Sequence, residues 1–367
     1  MRPEAVEAML AMLENGFGNP SGSHRMARAA RRAVDDARDV MAETLGCHPG
    51  EIVFTSGGTE ADNQAIVGTL ARRPGAHPVC TAIEHPAVLV PVQRAGGRIV
   101  PAGRTGQVDL AALAAALDSS VAVVSVMLAN NEVGVVQPLA EVADVVAAHS
   151  PDAVLHTDAV QAFPWLDVAG TCARAGLVSV SAHKFGGPKG IGALVVRDGV
   201  GIEPLLRGGG QERDRRSGTQ NVAGIVGMAA AARVTVEERK ATVERVAALR
   251  DRLADGLLAA VPGTIESGVS DVGPDRSHKI AGSCHLCFEG VEAESLLFLL
   301  DQEDVCASAA SSCASGAAEP SHVLAAMGID PALGSLRLSL GWSTTDDEVD
   351  HALAVVPVAV ERARGSR

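Results

Sequence analysis

The 367-residue sequence contains no tyrosine, and phenylalanine and tryptophan supply only six and two residues. The absence of tyrosine excludes any chemistry that depends on a phenol. So few aromatic rings argue against stacking platforms for nucleic acid. Positive charge is also in deficit, since 31 Lys and Arg against 44 Asp and Glu give a net charge of −13. That charge repels phosphate backbones and anionic membranes, so we expect neither as a direct partner.

Long apolar runs and a disulfide framework are missing as well. No stretch of about 18 apolar residues is free of charge, and Glu4 and Glu7 interrupt the apolar run that a signal peptide would need. Seven cysteines, an odd number, suit a reducing compartment. We therefore expect a cytoplasmic protein. Its 47% apolar and 20% charged residues are typical of a globular chain, and its length indicates two or three domains.

Apolar β-branched runs alternate with Ala-rich helical patterns over about the first 200 residues. The predicted strands are 51–56, 77–83, 121–128, 152–159, 177–183 and 192–197, and the predicted helices between them include 60–70, 110–117 and 139–148. Because most strand runs are continuously apolar, helices should cover both faces of a mostly parallel sheet, which is an α/β domain. A long helical pattern over 222–260 precedes mixed short elements, so we predict domains at 1–240 and 241–367.

Three features follow predicted strands, where ligands bind in open α/β sheets. The turn TSGGTEADN (55–63) opens a helix and could cradle an anion, although taken alone it is better explained as a plain strand–helix turn. It lacks both the P-loop lysine and the GxGxxG dinucleotide pattern. Asp158 ends the run DAVLHTD, and taken alone it is explained as the N-cap of a following helix.

Lys184 follows the run LVSVSAH, 26 residues after Asp158. Taken alone it is explained as a solvated loop lysine, but a desolvated strand-end lysine can act as a Schiff-base amine. An anion cradle, an acidic partner for a ring nitrogen and a lysine for a carbonyl are together what pyridoxal 5′-phosphate requires. We therefore interpret the three features as one cofactor site.

The cysteines divide into two kinds of context. Cys306 and Cys313 lie in the small-residue segment CASAASSCASGAAEPSH (306–322), where we expect an exposed, reactive thiol rather than a packed one. Cys284 and Cys287 have CxxC spacing, but no second pair completes a zinc site, and residues three apart in a strand face opposite sides. We therefore expect no metal site. The loop ERDRRSGT (212–219) is interpreted as a site-lining loop or an interface.

A series of motifs spans nearly the whole chain. They are FGNPSGSH (17–24), FTSGGTEADN (54–63), EHPAV (84–88), NNEVGVVQP (130–138), HTDAVQA (156–162), SAHKFGGPKG (181–190), GGGQERDRRSGTQN (208–221), SSCASG with EPSHVL (311–324) and SLRLSLG (335–341). In these motifs and their order the chain resembles the cysteine desulfurases of the class-V aminotransferase group, in the nitrogen-fixation and iron–sulfur-assembly branch. The resemblance implies the α/β fold of type I pyridoxal-phosphate transferases, with a large domain on a mostly parallel sheet and a smaller α+β C-terminal domain.

The resemblance also implies a role for each matching residue. Lys184 would bind the cofactor aldehyde, Asp158 would pair with the pyridinium nitrogen, and Cys313 would take sulfur from L-cysteine as a persulfide, leaving L-alanine. The other implied contacts are Gln161 at the ring hydroxyl, His85 stacked on the ring and moving protons, Gly58, Thr59, Ser181 and His183 at the phosphate, Thr219 at the phosphate of the partner subunit, and Asn131 and Arg337 at the substrate carboxylate. A homodimer and a sulfur-acceptor protein, either an iron–sulfur scaffold or a tRNA-thiolation enzyme, are implied as partners.

Two alternatives stay open. One is another enzyme of the same fold, such as a selenocysteine lyase or an aminotransferase, although an aminotransferase needs no thiol like Cys313. The other is a non-catalytic relative that acts as a binding partner, because the chain begins at RPEAVEAML, without the family's opening strand. Either the start lies further upstream or the pocket is completed in another way. The chain has 367 − 313 = 54 residues after Cys313, fewer than many relatives, whose tail helps to dock scaffold proteins.

Overall fold

The computed structural model describes residues 1–270, 275–309 and 321–365. The chain divides into two compact units. The first comprises Met1–Val100, Leu110–Leu128 and Pro138–Arg239, and the second comprises Pro101–Asp109, Ala129–Gln137 and Lys240–Arg367. The short segments 101–109 and 129–137 therefore group with the second unit, although they lie within the 1–240 range predicted for the first domain.

A seven-stranded sheet forms the centre of the first unit. Its strands are β1 (Ile52–Thr55), β2 (His77–Thr81), β3 (Arg98–Val100), β4 (Val121–Ser125), β5 (Val154–Asp158), β6 (Leu177–Ser181) and β7 (Gly192–Val196), in the spatial order β1-β7-β6-β5-β4-β2-β3. β7 runs antiparallel to its two neighbours, β1 and β6, and the other adjacent pairs are parallel. The predicted, mostly parallel sheet is confirmed; β3 was not predicted, because three residues form too short a pattern.

Helices cover the sheet of the first unit. They are α1 (Pro3–Asn15), α2 (Arg25–Leu45), α3 (Gly58–Arg72), α4 (Pro86–Arg94), α5 (Leu110–Ala115), α6 (Leu139–His149), α7 (Val168–Thr171) and the start of α8 (Val222–Ala260). Ala61 and Ala65 of α3 pack against Val53, Leu177 and Leu194 of the sheet. β1, β4, β6 and β7 are buried along their whole length, which explains their continuously apolar sequences.

The second unit has an antiparallel sheet in the order β10-β9-β8. Its elements are β8 (Thr264–Glu266), β9 (Ser283–Phe288), α9 (Ala293–Asp301), α10 (His322–Ala326), β10 (Gly334–Ser339) and α11 (Asp346–Gly365), with the end of α8. The central strand β9 is buried at every position. Within the described residues, no helix has both the length and the apolarity needed to cross a bilayer.

Candidate active site

The turn between β1 and α3 is built for close approach. Gly57 has φ +154°, and a Cβ on Gly58 would lie 2.8 Å from Cγ2 of Val160. A side chain at Gly58 would therefore clash, which accounts for the glycine. No side chain caps the N-terminus of α3, so its first N–H groups are available to an anion. Thr59, the second residue of α3, is exposed beside them.

The end of β6 lies beside this turn. A Cβ on Gly57 would be 3.8 Å from Oγ of Ser181, and that hydroxyl is 2.9 Å from Nδ1 of His183. Partial burial and the charges of Lys184 and Lys189 lower the pKa of His183. The structure thus brings the predicted phosphate residues Gly58, Ser181 and His183 together, with cationic side chains close by.

Lys184 lies in a 3₁₀ turn, Ala182–Phe185, directly after β6, and it is exposed to solvent. The structure therefore does not show the burial that would desolvate the amine of Lys184. The positive charge of Lys184 nevertheless acts on the candidate site, where it lowers the pKa of Asp158. Lys184 and Asp158 thus lie within electrostatic reach of each other, as the cofactor interpretation requires.

Asp158 ends β5 as a buried side chain, 5% exposed. Its Oδ1 accepts a hydrogen bond from the N–H of Val160 at 2.8 Å. No helix starts here, since the chain turns until α7, so Asp158 is not the helix N-cap that its context allowed. Burial raises the pKa of Asp158 to about 6, against the opposing effects of Val160 and Lys184. A cationic ring nitrogen would stabilise this carboxylate.

Two further carboxyl groups lie buried behind Asp158, and the sequence did not single them out. Asp62 of α3 has Oδ1 3.6 Å from Nε2 of His156, which lies two residues before Asp158 on the same face of β5. Burial and the charge of Asp158 raise the pKa of Asp62 well above its usual range. Burial alone lowers the pKa of His156 to about 3, so its ring is neutral at pH 7.

Glu84 is the second of these groups. Its Oε1 accepts hydrogen bonds from Oγ1 of Thr81 and from the N–H of Met127, each at 2.8 Å. Burial, with a contribution from the charge of Asp158, raises the pKa of Glu84 to about 8. Leu128, next to Met127, donates its N–H to the main-chain oxygen of Asp158 at 2.9 Å. Between Asp158 and Glu84, with pKa values of about 6 and about 8, the negative charge at neutral pH is favoured on Asp158.

His85 follows Glu84 and caps α4, a position that its sequence context did not reveal. Its Nδ1 accepts the N–H of Ala87 at 3.1 Å, so the neutral ring carries its proton on Nε2. Gln161 is half-buried and makes no side-chain hydrogen bond to any described residue, which leaves its amide available to a ring hydroxyl.

The predicted substrate residues come together in the second unit. Nη1 of Arg337 donates to the main-chain oxygen of Asn131 at 3.0 Å. Nε of Arg337 is buried and bonds to no described group. A buried guanidinium donor without a partner is costly, and a carboxylate is the group that fits it.

The other predicted residues and cysteines differ in whether the structure describes them and in their exposure. Cys313 lies outside the described residues, and Thr219 is exposed. Cys306 is exposed, whereas burial raises the pKa of Cys284 to about 12 and also raises that of Cys287. Over the described ranges, no group of three or more His, Cys, Asp or Glu side chains is arranged to hold a metal.

Two charged residues of the loop ERDRRSGT form ion pairs with neighbouring helices. Glu212 is buried and accepts two hydrogen bonds from Arg38, at 2.8 and 2.9 Å. Arg216 pairs with Glu60 in the first turn of α3 at 2.8 Å. Glu212 and Arg216 therefore attach the loop to α2 and to the first turn of α3.

The family model of the class-V aminotransferases matches residues 1–352. The chain belongs to this family. It is 45% identical to an IscS-like cysteine desulfurase of Mycobacterium tuberculosis, over 99% of this chain and 94% of that protein. It is 41% identical to the cysteine desulfurase IscS of Methanosarcina thermophila, over 99% and 90% of the two chains. A solved NifS-like protein aligns with a TM-score of 0.89 and 33% identity, over 99% and 96%.

These similarities cover both units. They place the chain in the cysteine desulfurase group of the class-V aminotransferases, whose members depend on pyridoxal phosphate, and they confirm the type I fold predicted from the motifs. The roles of the individual site residues stay predictions that rest on the geometry above.

Proposed function

We propose that the protein is a pyridoxal-phosphate-dependent cysteine desulfurase that converts L-cysteine to L-alanine and transfers the sulfur to Cys313. The observation that carries this proposal is the buried carboxylate of Asp158 at the end of β5. It lies within electrostatic reach of Lys184, in the turn after β6. A buried carboxyl with a raised pKa is typical of a functional site, and a positively charged group of a ligand would stabilise its ionised form.

The residues of the first unit fit the cofactor. The N-terminus of α3 at Gly58 and Thr59, together with Ser181 and His183, would hold the phosphate. Asp158 would keep the ring nitrogen protonated, and the amide of Gln161 would donate to the ring hydroxyl oxygen. Lys184 would bind the aldehyde. When bound, pyridoxal phosphate supplies an electron sink for the substrate Cα.

Substrate binding and sulfur transfer use other residues. Arg337 and Asn131 would hold the carboxylate of L-cysteine, which gives the buried Nε of Arg337 a partner. His85, with its proton on Nε2, would stack on the ring and move protons at the substrate. The Cys313 thiolate would attack the substrate sulfur, so that the carbon–sulfur bond breaks and a sulfur–sulfur bond forms. L-Cysteine and the Cys313 thiol thus become L-alanine and a persulfide, which balances atoms and electrons.

We further propose a cytoplasmic homodimer, with Thr219 of each subunit reaching the phosphate site of the other. The two compact units would correspond to a cofactor-binding domain and a smaller domain that carries Cys313. A sulfur-acceptor protein, either an iron–sulfur scaffold or a tRNA-thiolation enzyme, would take the persulfide sulfur. The similarity to cysteine desulfurases along the whole chain supports these assignments.

The test is to incubate the purified protein with pyridoxal phosphate, L-cysteine and a thiol reductant, and to measure sulfide and alanine together. Equal yields of the two products are expected. Pyruvate without alanine would indicate a lyase, a requirement for a keto acid would indicate transamination, and a strong preference for selenocysteine would indicate a selenocysteine lyase. A protein that binds no cofactor would support a non-catalytic relative.

Two variants locate the thiol. Cys313→Ser should retain the cofactor absorbance and lose sulfide release, because the sulfur has no acceptor. Cys306→Ser is the matched control, since Cys306 belongs to the same segment and is exposed, and it should stay active. Loss of sulfide release in Cys306→Ser alone would overturn the assignment of Cys313.

A further inference from the structure

The segment that carries Cys313 is held at both of its described ends. Before it, Ser308 forms an antiparallel bridge with Arg337: the N–H of Arg337 donates to the oxygen of Ser308 at 2.7 Å, and the N–H of Ser308 donates in return at 3.1 Å. After it, Oγ of Ser321 donates to Oε2 of Glu132 at 2.5 Å. One end is thus joined to a predicted substrate residue, and the other to the neighbour of Asn131.

The hydrogen bond between Glu132 and Ser321 joins two buried residues that lie 189 positions apart, with 6% and 7% of their surfaces exposed. Oγ of Ser321 also accepts the N–H groups of Val323 and Leu324, each at 3.2 Å, and so caps α10. A hydroxyl offers one donor and two acceptor positions. All three are used, so the carboxyl of Glu132 is the sole acceptor for the Ser321 hydroxyl proton.

The turn that carries Glu132 is held by other groups. Oδ1 of Asn130 accepts the N–H groups of Glu132 and Val133 at 2.8 and 3.0 Å. The main-chain oxygen of Glu132 accepts from Oγ of Ser283 at 3.1 Å. These hydrogen bonds do not involve the side chain of Glu132, whose carboxyl accepts the Ser321 hydroxyl instead.

We propose that Glu132 is a positioning residue that fixes the C-terminal end of the Cys313 segment relative to Asn131 and Arg337. Resting on the proposed function, this assigns Glu132 to sulfur transfer rather than to substrate binding. The backbone of Asn131 holds Arg337 whether or not the Glu132 side chain is present. Loss of that side chain therefore frees Ser321 while the predicted carboxylate site stays formed.

The same geometry predicts which substitutions are tolerated. Burial raises the pKa of Glu132, while Ser321, His322 and Arg337 oppose that rise. A carboxyl oxygen accepts the Ser321 hydroxyl in either protonation state, and so does the amide oxygen of glutamine. Glu132→Gln should therefore keep the bond, and Glu132→Ala should lose it.

The experiment compares Glu132→Ala and Glu132→Gln in the cofactor-loaded full-length enzyme. For Glu132→Ala we expect kcat for sulfide release, and the single-turnover rate of alanine formation without reductant, to fall about tenfold. KM for L-cysteine should stay within about twofold, because the binding pair is kept. Glu132→Gln should restore both rates. Amide exchange in α10 should rise in the alanine variant and not in the glutamine variant.

Two further variants serve as controls for the loss of the bond between Glu132 and Ser321. Glu292→Ala removes another Ser–Glu hydrogen bond of the second unit, from Ser295 at 2.8 Å at the exposed start of α9, and should leave the rates unchanged. A double variant of Glu132→Ala with Ser321→Ala should be no slower than Ser321→Ala alone, since both act through one bond.

Three results would overturn the proposal: a Glu132→Ala enzyme with wild-type single-turnover rate, a Glu132→Gln enzyme as slow as the alanine variant, or a rise in KM equal to the fall in kcat. If the wild-type protein itself made no alanine from L-cysteine, the proposed function would fail instead. The bond between Glu132 and Ser321 would then be judged by amide exchange alone, which separates the two failures.

Discussion

Two clusters of buried carboxyl groups, one in each unit, differ in the direction of their pKa shifts. In the first unit Asp62, Glu84 and Asp158 are at most 5% exposed, and burial raises the pKa of each. In the second unit Glu266, which is 9% exposed, has a lowered pKa.

The difference lies in the partners. Burial also disfavours the charge of Glu266, but Lys279 and Arg276 lie 2.8 Å from its two oxygens and reverse the shift. In the cluster of the first unit, the charge of the exposed Lys184 lowers the pKa of Asp158 but does not outweigh the effect of burial. Removing a buried acid that is paired with close cations is strongly destabilising, whereas a buried acid with a raised pKa marks a candidate functional site.

The paired cluster should be the most sensitive to substitution. Glu266→Ala would leave Lys279 and Arg276 as buried cations, and we expect it to lower the free energy of unfolding by about 3–5 kcal/mol. Urea unfolding measures this loss. Glu266→Gln, which keeps the shape and the acceptor oxygen, is the control and should lose less. An unfolding free energy unchanged in Glu266→Ala would remove the contrast between the two clusters.

Asp158→Asn should affect activity and stability in opposite directions. We expect sulfide release to fall about a hundredfold, because an amide cannot hold a positive charge on the ring nitrogen. Above pH 6 the free energy of unfolding of the cofactor-free protein should be unchanged or slightly higher, since a desolvated charge is removed. A marked loss of stability in this variant would mean that Asp158 is structurally paired, like Glu266.

Glu84→Gln should flatten the pH dependence of stability. The pKa of Glu84 rises from 4.5 to about 8 on folding, so its stabilising contribution is complete below pH 4.5 and is lost as pH rises through 8. The wild-type protein should therefore lose stability relative to the variant over this window, by the order of a few kcal/mol. Urea unfolding at pH 5 and pH 8, at one cofactor concentration, measures the difference. Parallel curves would show that Glu84 is ionised when folded.

Asp62→Asn should have the smallest effect. If Asp62 carries a proton, an amide replaces it with nearly the same shape and hydrogen-bonding capacity. We expect a change in unfolding free energy within about 1 kcal/mol. The infrared band of one protonated carboxylic acid should also disappear. A large loss of stability with no change in that band would show that Asp62 is an anion paired with a charged His156.

Much of the fold follows from local pattern. The predicted strands at 51–56, 121–128 and 192–197 match β1, β4 and β7 to within three residues at each end, and the helical pattern over 222–260 coincides with α8. These segments are apolar or helical along their whole length, so their state is set by their own residues. β3 escaped prediction because three residues carry too little periodicity.

The candidate site divides in the same way. Lys184 and Asp158 could be found because Asp158 ends β5 and Lys184 lies in the turn after β6, positions that the local sequence marks. Asp62 and Glu84 could not, because an acid within TEADN or IEHP has the composition of a solvated helix or turn. Only the packing of α3 and the Thr81–Glu84 turn against the sheet makes these acids buried neighbours of Asp158.

The sequence by itself determined the absence of tyrosine, so no phenol can take part in the candidate site. It also determined the order of strands and helices, because apolar periodicity is a local property. The tertiary structure alone decided which charges are paired. Glu132 meets Ser321 across 189 residues and Arg38 meets Glu212 across 174, and burial and partnership at such separations are set by packing rather than by neighbouring residues.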